Sequence, residues 1–170
     1  MDLEDLMIRL QAGGIGALEE IYHATKRAVY VSVFSLLRHK EAAEDIMQDT
    51  YLRLTEKISK YKPNGTPQAW ICAIARNLAM NYLKKNRRFV SIETIPERET
   101  AEDEDFDVLV LAVKVLNDKE FEGLYLKIAG GFTHKEIAEM TKTPQDTVRW
   151  RYHSAIEKLK TFFKEEAENV

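Results

Sequence analysis

A chain of 170 residues, 45% of them hydrophobic, has room for one medium domain or two small ones and can build cores, which excludes disorder throughout. Its 25 Lys and Arg stand against 28 Asp and Glu, so a formal net charge of -3 gives no global pull toward nucleic acid. The distribution is uneven: Arg76 to Ile92 holds no acid, whereas Glu93 to Asp107 is acidic with Arg98 as its only base.

The amino terminus, MDLEDLMIRL, lacks the basic start and apolar run of a signal peptide. Leu3, Leu6, Met7 and Leu10 form a helical stripe that ends at Gly13 and Gly14. Ala17 to Leu37 reads as a second helix. Within it Tyr30 to Phe34 has strand propensity but no partner strand nearby, and Val29 to Leu37 is too short to cross a bilayer. The expectation is a soluble, unexported, cytoplasmic protein without membrane insertion.

Glu41 to Tyr61 is a long amphipathic helix with Ala43, Ile46, Met47, Leu54 and Ile58 as core positions, closed by the turn Lys62, Pro63, Asn64, Gly65. Glu41, Glu44, Asp45 and Asp49 stand about one turn apart, as metal ligands would. A di-iron bundle, however, needs Glu-x-x-His on two helices, and only Glu20 with His23 has that spacing. Pro67 opens the next helix with Thr66 as cap, and Trp70, Ile71, Ile74, Ala75, Leu78 and Tyr82 form its apolar face. Cys72, the single cysteine, permits no intrachain disulfide and reads as a small buried residue in a reducing compartment.

Trp70 and Tyr82 alternate with Arg76, Asn77, Asn81, Lys84 and Lys85, the composition with which aromatic faces stack on unpaired bases while cations hold phosphates. The competing reading makes both aromatics core residues. Ser91 to Asp105 then has a proline, many acids and little periodicity, which is how a linker reads.

Four further helices span Phe106 to Leu116, Asp118 to Ala129, His134 to Met140 and Pro144 to Glu166, with Asp118 as a cap and Gly130 and Gly131 as a stop. Thr133 and Glu136 have capping-box spacing, and Ile137 and Met140 give one apolar face before the polar turn Thr141, Lys142, Thr143. The last helix buries Val148, Tyr152, Ala155, Ile156 and Leu159 and leaves Gln145, Arg149, Trp150 and His153 outside. Helix, turn, helix with exposed bases at the start of the second helix is the arrangement that reads a DNA major groove. No phosphate loop, nucleophile elbow or zinc spacing occurs. The expected protein is no enzyme and uses no cofactor or metal.

Three separated segments match one pattern. Asp45, Gln48, Asp49, Thr50 and Tyr51 resemble the core-polymerase-binding helix of bacterial RNA polymerase sigma factors of the sigma-70 family, extracytoplasmic-function (ECF) type, with Asp49 where Glu is usual. Ile74, Ala75, Arg76 and Asn77 resemble the most specific run of its minus-ten helix, with Asn81 where Asp is common. Gly131, Phe132, Thr133, Glu136, Ile137, Ala138, Pro144, Thr147, Val148, Arg149 and Arg151 resemble its minus-thirty-five helix-turn-helix. Thr141-Lys142 replaces a frequent Leu-Gly, Asp146 a Gly, and Trp150 a smaller residue.

The resemblance implies an all-α protein of two small helical domains: 1–90, region 2-like; a flexible acidic linker, 91–105; and 106–170, region 4-like, with the helix-turn-helix. It implies that Asp45, Gln48, Asp49, Tyr51 and Leu54 bind core RNA polymerase. Asn64, Trp70, Arg76, Asn77, Asn81, Lys84, Lys85 and Arg88 would hold the minus-ten element, duplex and then melted single strand. Thr133, Lys135, Thr143, Gln145, Thr147, Arg149, Trp150, Arg151 and His153 would hold the minus-thirty-five element. It also allows for an anti-sigma factor as a further partner. The alternative is a dimeric helix-turn-helix regulator that acts without polymerase. A further expectation is that the acidic linker disfavours DNA binding by the free protein.

Overall fold

The computed structural model describes residues 1–63, 65–86 and 111–170, and all regular structure among them is helical. Helices α1 (Leu3–Gln11), α2 (Ala17–Leu37), α3 (Lys40–Lys57) and α4 (Pro67–Lys85) make one bundle. Helix α5, described over 111–115, precedes α6 (Asp118–Ile128), α7 (His134–Thr141) and α8 (Gln145–Glu168), which make a second. The expected linker at 91–105, with Asn64 and Arg88, lies outside the described residues.

Local chemistry sets the helix boundaries. Asp2 caps α1 by accepting from the Asp5 amide, and Gly13 at φ 93 turns the chain out of it. Tyr30 to Phe34, strand-like by propensity, is helix inside α2, because Val29, Val33 and Leu37 fall on one buried stripe that only helical spacing creates. Helix α3 ends four residues earlier than the amphipathic pattern suggests and tightens into a 3-10 turn, Ile58–Lys60. Glu4 and Gln11 of α1 hold the segment after that turn. Tyr61 Oη and the Gly65 amide donate to the Glu4 carboxylate at 3.0 and 3.1 Å, and Gln11 Nε2 donates to the Tyr61 carbonyl at 2.9 Å. The loop that leads into α4 is therefore fixed at three points by the first helix.

Two expected caps and one expected helix start differ. Asn117, not Asp118, caps α6; its side chain accepts from the Glu120 amide while Glu120 returns to the Asn117 amide, and Asp118 points outward instead to Arg38. Thr66 occupies the cap of α4 without a side-chain capping bond, since Pro67 at the first turn already fixes the entry. Pro144 is the cap residue of α8 rather than its first helical residue. Thr133 and Glu136 form the expected capping box, and Gly131 at φ 66 lies just beyond α6. Gly130 is required for steric reasons: a Cβ there would lie 2.7 Å from the Leu126 carbonyl oxygen and 2.6 Å from the Phe132 ring.

The two bundles share one continuous core. Helix α6 packs on both α8 and α2, and α7 packs on both α8 and α4. Every residue of α6 from Glu120 to Leu126 is buried, so this helix has no solvent face along two turns. Its carboxylates survive burial because each has a cation. Glu120 accepts from Lys158 at 2.9 Å and Ser154 at 3.0 Å on α8. Burial pushes the Glu120 carboxyl up, but Lys158, the Asn117 amide and Ser154 outweigh it and hold it below the ordinary glutamate value. A depressed folded value means stability that is present above the unfolded value, about 4.3, and is lost as pH falls through the folded one. Urea titrations across the acid range should show Glu120→Gln with a shallower acid loss of stability than the parent, and parallel acid limbs would refute the assignment.

Candidate nucleic-acid interface

Helices α7 and α8 meet through a turn whose geometry rests on an unusual residue. Lys142 adopts the left-handed region, φ 51 and ψ 41, where glycine is normally favoured. The turn compensates with hydrogen bonds: Thr143 N donates to the Ala138 carbonyl at 3.1 Å, Thr141 Oγ1 to Ile137 at 2.6 Å, and Thr143 Oγ1 to Thr141 at 3.2 Å. The turn thus keeps its shape without the expected glycine.

Beyond it, Val148, Ala155 and Leu159 face the core, and the opposite side of α8 carries Arg149, Trp150 and His153 in solvent. Trp150 is 67% exposed and packs on nothing that would bury its indole. Asp146 lies 3.9 Å from Arg149 one turn away, a loose exposed pair that leaves the guanidinium available. Gln145, Thr147, Arg151 and Thr143 are half-buried, and Thr133 and Lys135 are exposed at the start of α7. Burial lowers the affinity of His134 for a proton, and Lys127, Arg149 and His153 lower it further. Lys127 and Arg149 are the permanent cations among these, and they give this end of the bundle local positive charge.

Helix α4 divides its predicted residues. Asn77, Asn81, Lys84 and Lys85 are exposed. Trp70 and Tyr82 are half-buried, and Trp70 stands edge-on to Tyr61 with ring centroids 5.1 Å apart, so both competing readings describe part of each ring. Arg76 is different: it is buried, and its guanidinium pairs directly with Glu122 of α6. In this conformation it is not on the surface with its neighbours. Beside Trp70 and Asn77 runs a groove of about 490 Å³ that also takes in Lys57, Lys60, Glu139 and Lys142. Sequence reasoning misses Lys57 and Lys60 as site residues, because only the folded packing of the end of α3 and the 3-10 turn after it brings them to the groove beside Trp70.

Helix α3 presents Asp45, Gln48 and Asp49 outward, one face of successive turns. Tyr51 and Leu54, predicted with them, point inward: Leu54 is fully buried, and Tyr51 shares a 2.9 Å hydrogen bond with Thr25. Burial above all pushes the Tyr51 phenol up to about 12. The apolar member of the exposed face is Leu52, 67% exposed. Its signal is in the sequence, since it lies four residues after Gln48 and seven after Asp45, off the core stripe. Cys72 is fully buried and its thiol is pushed up to about 12, chiefly by burial, which leaves it inert. Among the described residues no helix is long and apolar enough to cross a membrane.

Two family models match the chain: Sigma-70 region 2 over residues 21–89, and Sigma-70, region 4 over residues 112–161. Similar curated proteins include the RNA polymerase sigma factor CarQ of Myxococcus xanthus, 25% identical over 94% of this chain and 96% of that protein. The ECF RNA polymerase sigma factor BldN of Streptomyces coelicolor is 25% identical over 96% of this chain and 66% of its own, longer length. Among solved structures, CnrH in complex with the cytosolic domain of CnrY matches with a TM-score of 0.72 at 17% identity, over 95% of this chain and 97% of that one.

Replacing Lys142 by glycine should relieve left-handed strain and raise unfolding free energy by about 1 kcal/mol, read by urea denaturation; a loss of stability would refute the strain. The two matched regions occupy the two helical bundles in order, and the chain belongs to the sigma-70 family of RNA polymerase sigma factors, in its ECF group.

Proposed function

We propose that this chain is a dissociable promoter-specificity subunit of bacterial RNA polymerase, working in the cytoplasm without catalysis of its own. The observation that carries the reading is the unpacked face of α8, where Arg149, Trp150 and His153 stand in solvent behind a capped helix and a tight turn. That face suits the edges of duplex bases: a guanidinium matches guanine acceptors, and an indole edge suits a thymine methyl. On the other bundle, Asn77, Asn81, Lys84 and Lys85 offer donors and charges to a strand whose bases have left the stack, and Trp70 offers an aromatic surface. Unstacking costs a few kcal/mol per base, which two separate grips on the promoter offset better than one.

Asp45, Gln48 and Asp49, with Leu52 among them, form the surface for core polymerase: an apolar anchor ringed by acceptors for charge-assisted hydrogen bonds. Tyr51 and Leu54 contribute by holding α3 in place. A further protein partner, such as an anti-sigma factor, is expected on this reading; the similar CnrH was solved in complex with another protein, the cytosolic domain of CnrY.

The deciding experiment is transcription in vitro with core polymerase over a promoter library, which should yield initiation at a subset of promoters. Absence of both initiation and core binding, with tight palindromic DNA binding instead, would establish the dimeric regulator. In pull-down, Asp45→Ala with Gln48→Ala should abolish retention of core polymerase while circular dichroism stays unchanged; undiminished retention would remove these residues from the interface. Lys84→Ala with Lys85→Ala should reduce the log-log salt slope of single-strand binding by about 0.7 for each phosphate that is no longer neutralised. An unchanged slope would place both lysines away from phosphates.

A further inference from the structure

The groove of about 490 Å³ beside α4 has an aromatic ring, an amide, a carboxylate and three ammonium groups on its walls. Trp70 and Asn77 enter it from α4, Glu139 and Lys142 from the end of α7, and Lys57 and Lys60 from the end of α3 and the 3-10 turn. Its volume falls in the range of small-molecule sites, roughly 300 to 1,000 Å³. The charged groups in it have no partners of their own. Among the described residues Lys57, Lys60 and Lys142 enter no ion pair, although Glu139 shares the groove and stands three residues before Lys142. Three ammonium groups around one concavity focus a positive field that draws a multivalent anion.

The aromatic wall is set in advance. Tyr61 meets Trp70 edge-on with ring centroids 5.1 Å apart, and Glu4 accepts from the Tyr61 hydroxyl at 3.0 Å, so the indole is held by a chain of contacts that reaches α1. Ammonium groups bind phosphate, and an indole offers a planar base a surface to stack on; a groove that holds both suits a nucleotide. Glu139 narrows the base. A carboxylate only accepts hydrogen bonds, and guanine is the common base with two adjacent donors, its ring N–H and its exocyclic amine, on the pairing edge. Adenine sets a ring-nitrogen lone pair against the carboxylate, which leaves two acceptors facing each other.

We infer that this groove is a binding site for a free guanine nucleotide with a polyphosphate chain: Glu139 pairs with the guanine edge, Trp70 stacks on the ring, and Lys57, Lys60 and Lys142 hold the phosphates. The inference goes beyond the promoter role and does not rest on it, since Glu139 and Lys142 lie outside the residues proposed for the unpaired strand. Trp70 and Asn77 serve in both. A bound nucleotide and a strand therefore compete there, and each lowers the affinity of the other by the same factor.

The test is isothermal titration calorimetry on the full chain with GTP, ATP, guanosine and inorganic tripolyphosphate. GTP should bind roughly tenfold or more tightly than each of the other three, and it should raise the midpoint of thermal unfolding. Lys57→Ala with Lys60→Ala should weaken GTP binding by roughly tenfold or more. Glu139→Gln keeps the shape and removes the charge, and should bring GTP and ATP to within about threefold of each other. These three side chains are exposed or half-buried, so the variants keep the fold, which circular dichroism checks. Where the double variant does not fold, Lys142→Gln decides in its place. Tripolyphosphate that binds as tightly as GTP would reduce the groove to a basic patch and overturn the inference. Equal affinity for ATP, a Glu139→Gln chain that keeps its preference for GTP, or no heat with GTP up to millimolar concentration would overturn it as well. Core-polymerase retention, measured without nucleotide, reports on the promoter role separately.

Discussion

Two glutamates two residues apart on one helix organise the molecule. Successive positions two apart on a helix point in nearly opposite directions, so Glu120 turns toward α8 and Glu122 toward α4. Neither is left unpaired: the first meets Lys158 and Ser154, the second meets Arg76. The requirement that a buried carboxylate find a cation therefore fixes α6 to its own bundle through one residue and to the neighbouring bundle through the other. Phe121, Leu124, Tyr125 and Leu126 fill the space between, and the site residues of both bundles take their relative places from this helix.

Geometry divides the functional surfaces by the strength of the packing beneath them. The α3 face and the α8 face stand on fully buried stripes, Ala43, Ile46 and Leu54 in one case and Val148, Ala155 and Leu159 in the other. Their exposed residues are presented on rigid helices, which suits recognition that depends on fixed spacing. The α4 surface is partly covered by a neighbour held through charge pairs and one aromatic contact.

Much of this is legible in the sequence where the signal is local. The Thr133–Glu136 box, the glycines after α6 and the apolar spacing of α8 each depend on residues within two turns, and the structure holds each of them in the expected place. Tyr51 and Leu54, which the resemblance groups with Asp45, Gln48 and Asp49, are buried, because a motif names a helix but not which way each side chain turns; the apolar spacing, taken alone, already puts Leu54 inside. The pairing of Arg76 with Glu122 is not legible, because it joins positions on different bundles and periodicity carries no long-range partner. One trace of it exists. Phe121, Leu124, Tyr125 and Leu126 span too much of the helix circumference for a single buried face, which marks α6 as packed on two sides.

The two tryptophans of the chain, Trp70 and Trp150, fall one on each proposed nucleic-acid surface, the first half-buried at the groove edge and the second largely in solvent. Their emission therefore differs in colour before anything binds, blue-shifted for the ring shielded by Tyr61 and red for the solvated one. The protein carries its own pair of optical reporters, so that on the proposed function arrival of duplex at one surface and of unpaired strand at the other would be separable in time without any added label.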